Sequence, residues 1–224
     1  MVVLRRGFGT MRKLSFFDQI ISEVDASLRT SYAVAPTTER PNPSESAVEK
    51  VSLSDEERKC SAKLMRINHA GEVSAQGLYR GQALTAKRED IREQMQRSAM
   101  EENDHLNWCD GRLKQLDSHK SYLSPLWYWG SFSIGAVAGR VGDKWSLGFV
   151  KETEDQVVRH LEQHMVQLPV KDLPSLLILQ QMKEDEQHHA DVAVNAGAAK
   201  LPWLIRRLMM PLMSKVMTKT AGII

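Results

Sequence analysis

Cysteine, aromatic residues and any excess of one charge are scarce in this sequence. Its 224 residues include two cysteines, Cys60 and Cys109. They form no CxxC pair and no disulfide framework, which excludes a cross-linked secreted scaffold and fits a reducing compartment. Thirty basic against 28 acidic residues leave a net charge of +2, so no overall field argues for nucleic acid as a partner. Strand signals are nearly absent. The longest uncharged run, Ser121 to Gly139, nears spanning length, but serine, glycine and Pro125 dilute it. It reads as a buried or membrane-surface helix. The amino-terminal "MVVLRRGFGTMRKLSFF" has no adequate apolar region and no cleavage site for a secretory signal. Arg5, Arg6, Arg12 and Lys13 precede the first acid, Asp18, which leaves a mitochondrial presequence open. The preferred reading is an upstream extension, with Met11 an alternative start.

A hydrophobic content of 42% over this length suffices for one domain with appended segments. A first helix is expected from about Leu14 to Arg29, with Phe17, Ile20, Ile21, Val24 and Leu28 on one side. "APTTERPNPSESAVEK" then has the composition of an extended linker. Ser54, followed three residues later by Glu57, is a capping-box signature. From there helices are expected over about 54–85, 89–116, 125–138, 144–167, 174–198 and 202–218. The division is an extension with helix and Pro/Ser-rich linker at 1–53, a bundle at 54–200 that includes an apolar, membrane-facing helix near 123–139, and a basic amphipathic helix at 201–224. The fold class is all-α: a four-helix bundle with additional amphipathic helices.

Two of the long helices carry Glu-x-x-His, Glu102 with His105 and Glu186 with His189. A three-residue step puts both side chains on one helix face, about a turn apart, where they can reach one metal ion. The stripe Leu179, Met182, Glu186, His189, Ala193, Ala196 sets one pair inside an apolar seam. Ile91, Met95, Ser98, Glu102, His105, Cys109 does so for the other. Buried charge is costly unless paired or bound to metal. Glu154, within Leu147, Val150, Val157, Leu161 and Leu168, and Glu72, among Met65, Ala75 and Tyr79, are single acids in similar seams. The order Glu, Glu-x-x-His, Glu, Glu-x-x-His describes a duplicated hairpin. It is also the ligand set of ferritin-like di-iron or di-manganese carboxylate proteins. Four carboxylates supply about −4, which matches two divalent ions. The preceding acids, Asp185 and Glu101, are placed to accept the free ring N–H of His105 and His189 respectively on the facing helix. In "EDEQHHA", His188 lies on a more polar stripe with Asp185, so His189 is the expected ligand and His188 a rim residue.

"LMRINHAGEVSAQGLYRGQAL", "EENDHLNWC", "SLGFVKETEDQVVRHLEQH" and "MKEDEQHHADVAVNAGA" resemble the bacterial branch of the demethoxyubiquinone hydroxylase (Coq7) family. The resemblance runs from Leu14 onward. It implies a di-iron monooxygenase of ubiquinone biosynthesis that hydroxylates a polyprenyl methoxy-methyl-benzoquinol with O2 and two electrons. Carried over residue by residue, the ligands of two irons per chain are Glu72, Glu102, His105, Glu154, Glu186 and His189, with Glu102 and Glu186 bridging. His160 matches a histidine near the family's site, in the surrounding shell and not as a ligand.

A polyprenyl substrate implies a membrane surface as partner, contacted without a spanning helix. Trp127, Trp129 and Phe132 on the apolar helix, with Arg206, Arg207, Lys215 and Lys219 among Leu, Met and Trp at the carboxyl end, suit such an interface. The expected location is peripheral, on the cytoplasmic side of a bacterial inner membrane, with the matrix side of the mitochondrial inner membrane as the alternative. Further partners are a second copy of the chain or other proteins of ubiquinone biosynthesis. A non-enzymatic ferritin-like iron-binding protein is the competing function.

Overall fold

Proline, glycine and capping residues divide the chain into helices. The computed structural model describes residues 15–33, 36–38, 40–45 and 52–223, and among these no β-strand occurs. The helices are α1 (Phe16–Tyr32), α2 (Asp55–Thr85), α3 (Glu89–Gln115), α4 (Ser124–Val141), α5 (Asp143–Gln167), α6 (Leu173–Asn195) and α7 (Met210–Ala221). The expected start of α1 at Leu14, the alternative start at Met11 and, in the linker region, Ala35, Glu39 and the 46–51 stretch lie outside the described residues.

Local chemistry sets the ends. Ser54 and Glu57 form the reciprocal capping box at the start of α2, Ser54 N–H donating to Glu57 Oε2 over 2.8 Å. Asp172 accepts from Ser175 N–H at the start of α6. α6 stops at Asn195, short of the expected residue 198, because Gly197 takes the left-handed φ of +100° that closes a helix. The carboxyl-terminal helix is not uniformly α. Residues Ile205–Met209 form a π-helical turn in which Met210 N–H bonds to Ile205 O. Pro211 follows directly and lacks the N–H that an α-turn would need, so the ladder widens just before it.

The four long helices pair as two hairpins, α2 along α3 and α5 along α6, and the pairs meet across the core. Helix rise then fixes the level of each acid. Glu72 lies 13 residues before the end of α2, and Glu102 lies 13 after the start of α3. Glu154 and Glu186 stand at the same 13-residue distance from the ends of α5 and α6 facing their turn. At 1.5 Å per residue both arms place their acids roughly 20 Å from the turn, so all four share one level of a ferritin-like bundle. Apolar clusters fill the core on either side, with Met65, Leu113, Leu161 and Ile178 in one and Tyr79, Ile91, Met95 and Leu147 in the other.

The remaining helices coat one side. α4 lies against α2 so closely that their backbones touch: an added Cβ at Gly81 would sit 2.1 Å from Phe132 O, and one at Gly135 2.2 Å from Leu78 O. The glycines that dilute the hydropathy of this run are therefore contact points. α1 is turned opposite to its apolar stripe. Ser27, Thr30 and Ser31 are buried, while Phe17 and Ile21 stand 73% and 66% exposed. Glu23 on its inner side accepts from Arg80 Nε and Nη2 at 2.7 and 2.9 Å, which anchors the polar face to α2. No helix among the described residues is long and apolar enough to cross a membrane.

Candidate metal centre

Glu72, Glu102, Glu154 and Glu186 are each at most 2% exposed, and His105 and His189 at most 4%. α2, α3 and α6 bring Glu72, Glu102, His105 and Glu186 together, with one ligand atom from each lying within 4.8 Å of the others. His105 Nδ1 stands 3.5 Å from Glu72 Oε2, 3.2 Å from Glu102 Oε2 and 3.1 Å from Glu186 Oε1. On the other side of the two shared carboxylates, His189 Nδ1 lies 3.4 Å from Glu102 Oε1 and 3.3 Å from Glu186 Oε2. Glu154 completes that side, where Tyr79 Oη donates to its Oε1 over 2.6 Å. Glu102 and Glu186 thus lie between two half-sites, one with Glu72 and His105, the other with Glu154 and His189.

Both imidazoles turn Nδ1 to the cluster and Nε2 outward. His105 Nε2 is 2.8 Å from Asp185 Oδ2, and His189 Nε2 is 2.7 Å from Glu101 Oε2. Such contacts hold each ring in one tautomer and raise its basicity.

Four carboxylates this close cannot all ionise without cations among them. Burial, with Glu102 and Glu186 as neighbours, pushes the Glu72 and Glu154 carboxyls well up. Burial also opposes ionisation of Glu102 and Glu186, yet hydrogen bonding to the histidines holds both below the usual carboxylate range. His105 and His189 are driven up against burial by hydrogen bonds, led by Asp185 and Glu101 respectively. Glu102 Oε1, Glu154 Oε2 and Glu186 Oε1 are buried and accept no hydrogen bond, which is costly for carboxylate oxygens unless a cation meets them. Oxygen and imidazole donors with orphaned buried oxygens fit divalent iron or manganese.

Some residues escaped sequence reasoning. Tyr79, read as an apolar neighbour of Glu72, is instead the partner of Glu154. Two linker residues are docked: Thr38 N–H donates to Asp104 Oδ1 over 2.9 Å, and Arg40 reaches both Asp104 and Asp185. His160 makes no described hydrogen bond to the cluster. Its Nε2 is 3.5 Å from Ser214 Oγ, and its ring centroid lies 6.2 Å from that of His164. His188 is exposed.

His160 instead stands on the wall of a cavity of about 530 Å³ bounded by α2, α4, α5 and α7. Leu78, Trp127, Phe149, Val157 and Met213 make its lining apolar; Glu72, Asn68 and His164 supply polar atoms. His164 Nδ1 donates to Asn68 Oδ1 over 2.8 Å, which leaves Nε2 as the acceptor of the neutral ring. Trp127 belongs to this wall, Phe132 packs with Val73, Leu106 and Tyr128, and only Trp129 of the three faces outward.

A helical bundle that buries two Glu-x-x-His pairs and two further glutamates around one space has the donor set of a carboxylate-rich site that could hold metal. The chain belongs to the ubiquinone biosynthesis protein COQ7 family, whose model matches residues 59–221. It is 54% identical over 210 residues to a protein of Nitrosococcus oceani, covering 94% of this chain and 97% of that one. A Legionella pneumophila protein is 52% identical over 214 residues, and one from Acinetobacter baumannii 49% over 211, each covering 94% of this chain and 99% of the relative. All three are named 3-demethoxyubiquinol 3-hydroxylase.

Proposed function

We propose that this chain is a di-iron monooxygenase that hydroxylates the ring of a polyprenyl methoxy-methyl-benzoquinol, the activity named for its relatives. One observation carries this reading: the buried carboxylate and histidine cluster opens, at Glu72, onto an apolar cavity of about 530 Å³. A store of iron has no use for such a cavity. Glu72, Glu102, His105, Glu154, Glu186 and His189 would hold two irons, with Glu102 and Glu186 shared, and Asp185 and Glu101 would orient the two histidines. Iron bound there supplies activation of O2, with two electrons drawn from the quinol or from a reductant such as NADH.

The chain's own groups bind, orient and shield. Leu78, Trp127 and Val157 make the path to Glu72 apolar; with a quinol ring filling it, water would be displaced and polar contacts within it would strengthen. His164 Nε2, kept free by the bond from Nδ1 to Asn68, would accept a quinol hydroxyl and set the ring's orientation. Tyr79 holds Glu154 in place by its hydrogen bond.

The prenyl tail would leave between α4 and α7 into a bilayer. Leu126, Trp129, Trp203, Leu208, Leu212 and Val216 are exposed on these segments, and Arg206, Arg207 and Lys215 line a groove beside them. That arrangement suits a peripheral enzyme on an anionic membrane surface, here the cytoplasmic face of a bacterial inner membrane. Quinone profiling by mass spectrometry in cells lacking the protein tests the reading. Demethoxyubiquinone is expected to accumulate and to disappear on complementation with wild type but not with Glu186→Ala. An unchanged quinone profile would refute it.

A further inference from the structure

The duplicated hairpins make the two half-sites near copies of each other, yet the chain treats them differently. Between α1 and α2, Thr38 and Arg40 meet the outer side of α3 and α6. Thr38 N–H donates to Asp104 Oδ1 over 2.9 Å, and its hydroxyl bonds to Oδ2 of the same carboxylate. Arg40 Nε donates to Asp104 Oδ2 over 2.7 Å, while its Nη1 donates to Asp185 Oδ2 over 2.8 Å. That Asp185 oxygen is the atom that stands 2.8 Å from His105 Nε2. The guanidinium also lies 5.1 Å from the centroid of Trp108, whose ring is 5.4 Å from that of His105.

From these contacts we propose that Thr38 and Arg40 act as a strap that positions Asp185 against His105 and thereby makes the two metal positions unequal. The proposal rests on the metal-centre reading above. Asp104 is fully buried on α3, and Asp185 sits on α6. Two carboxylates facing one another across a helix pair repel; Arg40 donates to both, offsets one of the two charges and turns the repulsion into a bridge. Asp185 Oδ2 is then held from two directions, and Gln181 Nε2 holds Oδ1 at 3.1 Å. The carboxylate cannot rotate away from His105 without breaking bonds on both sides.

Among the described residues the other half has no equivalent. Glu101 meets His189 Nε2 at 2.7 Å, its side chain is 33% exposed, and no arginine or lysine bridges it among the described residues. One histidine is therefore buttressed by an immobile, charge-shared aspartate, the other by a partly solvated glutamate. Preorganisation favours the buttressed position, so the Glu72 and His105 side should fill first and hold its ion longer.

Anaerobic ferrous titration of the full-length protein, followed by near-infrared circular dichroism and by iron per chain after gel filtration, tests this. Wild type is expected to fill in two resolved steps. In Arg40→Gln the first, tighter step should weaken by about 10- to 100-fold, the range for loss of a partner supporting a ligand, and its ligand-field bands should shift. Arg40→Lys, which cannot bridge two carboxylates with a planar fork, should recover only part of the affinity. Should Arg40→Gln fail to fold, judged by far-ultraviolet circular dichroism, Thr38→Val carries the test. It leaves every charge paired and should weaken the same step to a smaller degree. A folded variant with lower thermal stability but wild-type isotherm and bands would reduce the strap to a structural tie and overturn the proposal alone. Wild type that takes up no iron would overturn the metal-centre reading, and the proposal with it.

Discussion

Gly81→Ala separates two physical effects of opposite sign. Within a long helix the change to alanine should stabilise by about 0.8–1 kcal/mol through propensity. At this position the new Cβ would lie 2.1 Å from Phe132 O and 2.8 Å from Ala136 N. Ordinary van der Waals contact begins near 3.4 Å, so α4 must withdraw from α2 by roughly 1 Å, and close packing along the seam is lost. Overpacking of this kind costs about 1–3 kcal/mol. Because the clash is with backbone atoms of α4, which cannot swing aside as a flexible side chain would, the cost falls at about 2–3 kcal/mol, and the net expectation is destabilisation by about 1–2 kcal/mol, a fall in Tm of roughly 2–8 °C for a chain of this size. Gly111→Ala is the control. It lies inside α3 with no atom within 4 Å of an added Cβ, so propensity acts alone and Tm should rise by about 1–4 °C. Thermal unfolding followed at 222 nm, with all proteins at the same metal saturation, reads both. A Gly81→Ala protein that melts at or above wild type would refute the close approach of α4 to α2.

Other outcomes follow from single contacts. His189→Ala should lose metal from its half-site, while His188→Ala, altering an exposed side chain, should retain wild-type iron per chain; equal retention in both would be contrary. Tyr79→Phe strips Glu154 of its 2.6 Å donor and should lower stability by about 1–3 kcal/mol, read by urea unfolding; an unchanged midpoint would show that the hydroxyl does not hold the carboxylate. Burial, and then His160 nearby, pushes His164 down from 6.5 to about 4. The unfolded chain therefore takes up this proton first as pH falls, so the His164 contribution is full above pH 6.5 and is lost toward pH 4. The shift corresponds to about 3 kcal/mol, and His164→Gln should flatten the pH dependence of the urea midpoint by that amount; parallel curves would contradict the shift.

The fold and the convergence of the six candidate ligands were legible because both follow from short-range periodicity. Three- and four-residue steps set Glu186 and His189 in one seam, and equal distances from two turns set all four glutamates at one level. Asp185 and Glu101 were also readable, since they directly precede the Glu-x-x-His pairs. What escaped depends on contacts distant in sequence. Arg40 meets Asp104 and Asp185 across separations of 64 and 145 residues, and nothing in a proline-rich linker's composition signals that pairing. Tyr79 fits an apolar seam whether or not its hydroxyl finds Glu154. α1 shows the limit of amphipathicity: its stripe is correct, but Arg80 pairs with Glu23 on the polar side, so the apolar face points outward. Trp127 and Phe132 were grouped with Trp129 by composition, whereas the glycine seam with α2 turns them inward.

The central claim is most directly tested by giving the iron-loaded, full-length protein a demethoxyubiquinol in lipid vesicles, with a reductant and 18O2, and analysing the quinones by mass spectrometry. One atom of 18O in the product ring, absent with Glu186→Ala, is the predicted result. Iron-loaded protein that yields no hydroxylated quinone, or product carrying oxygen from water alone, would contradict it.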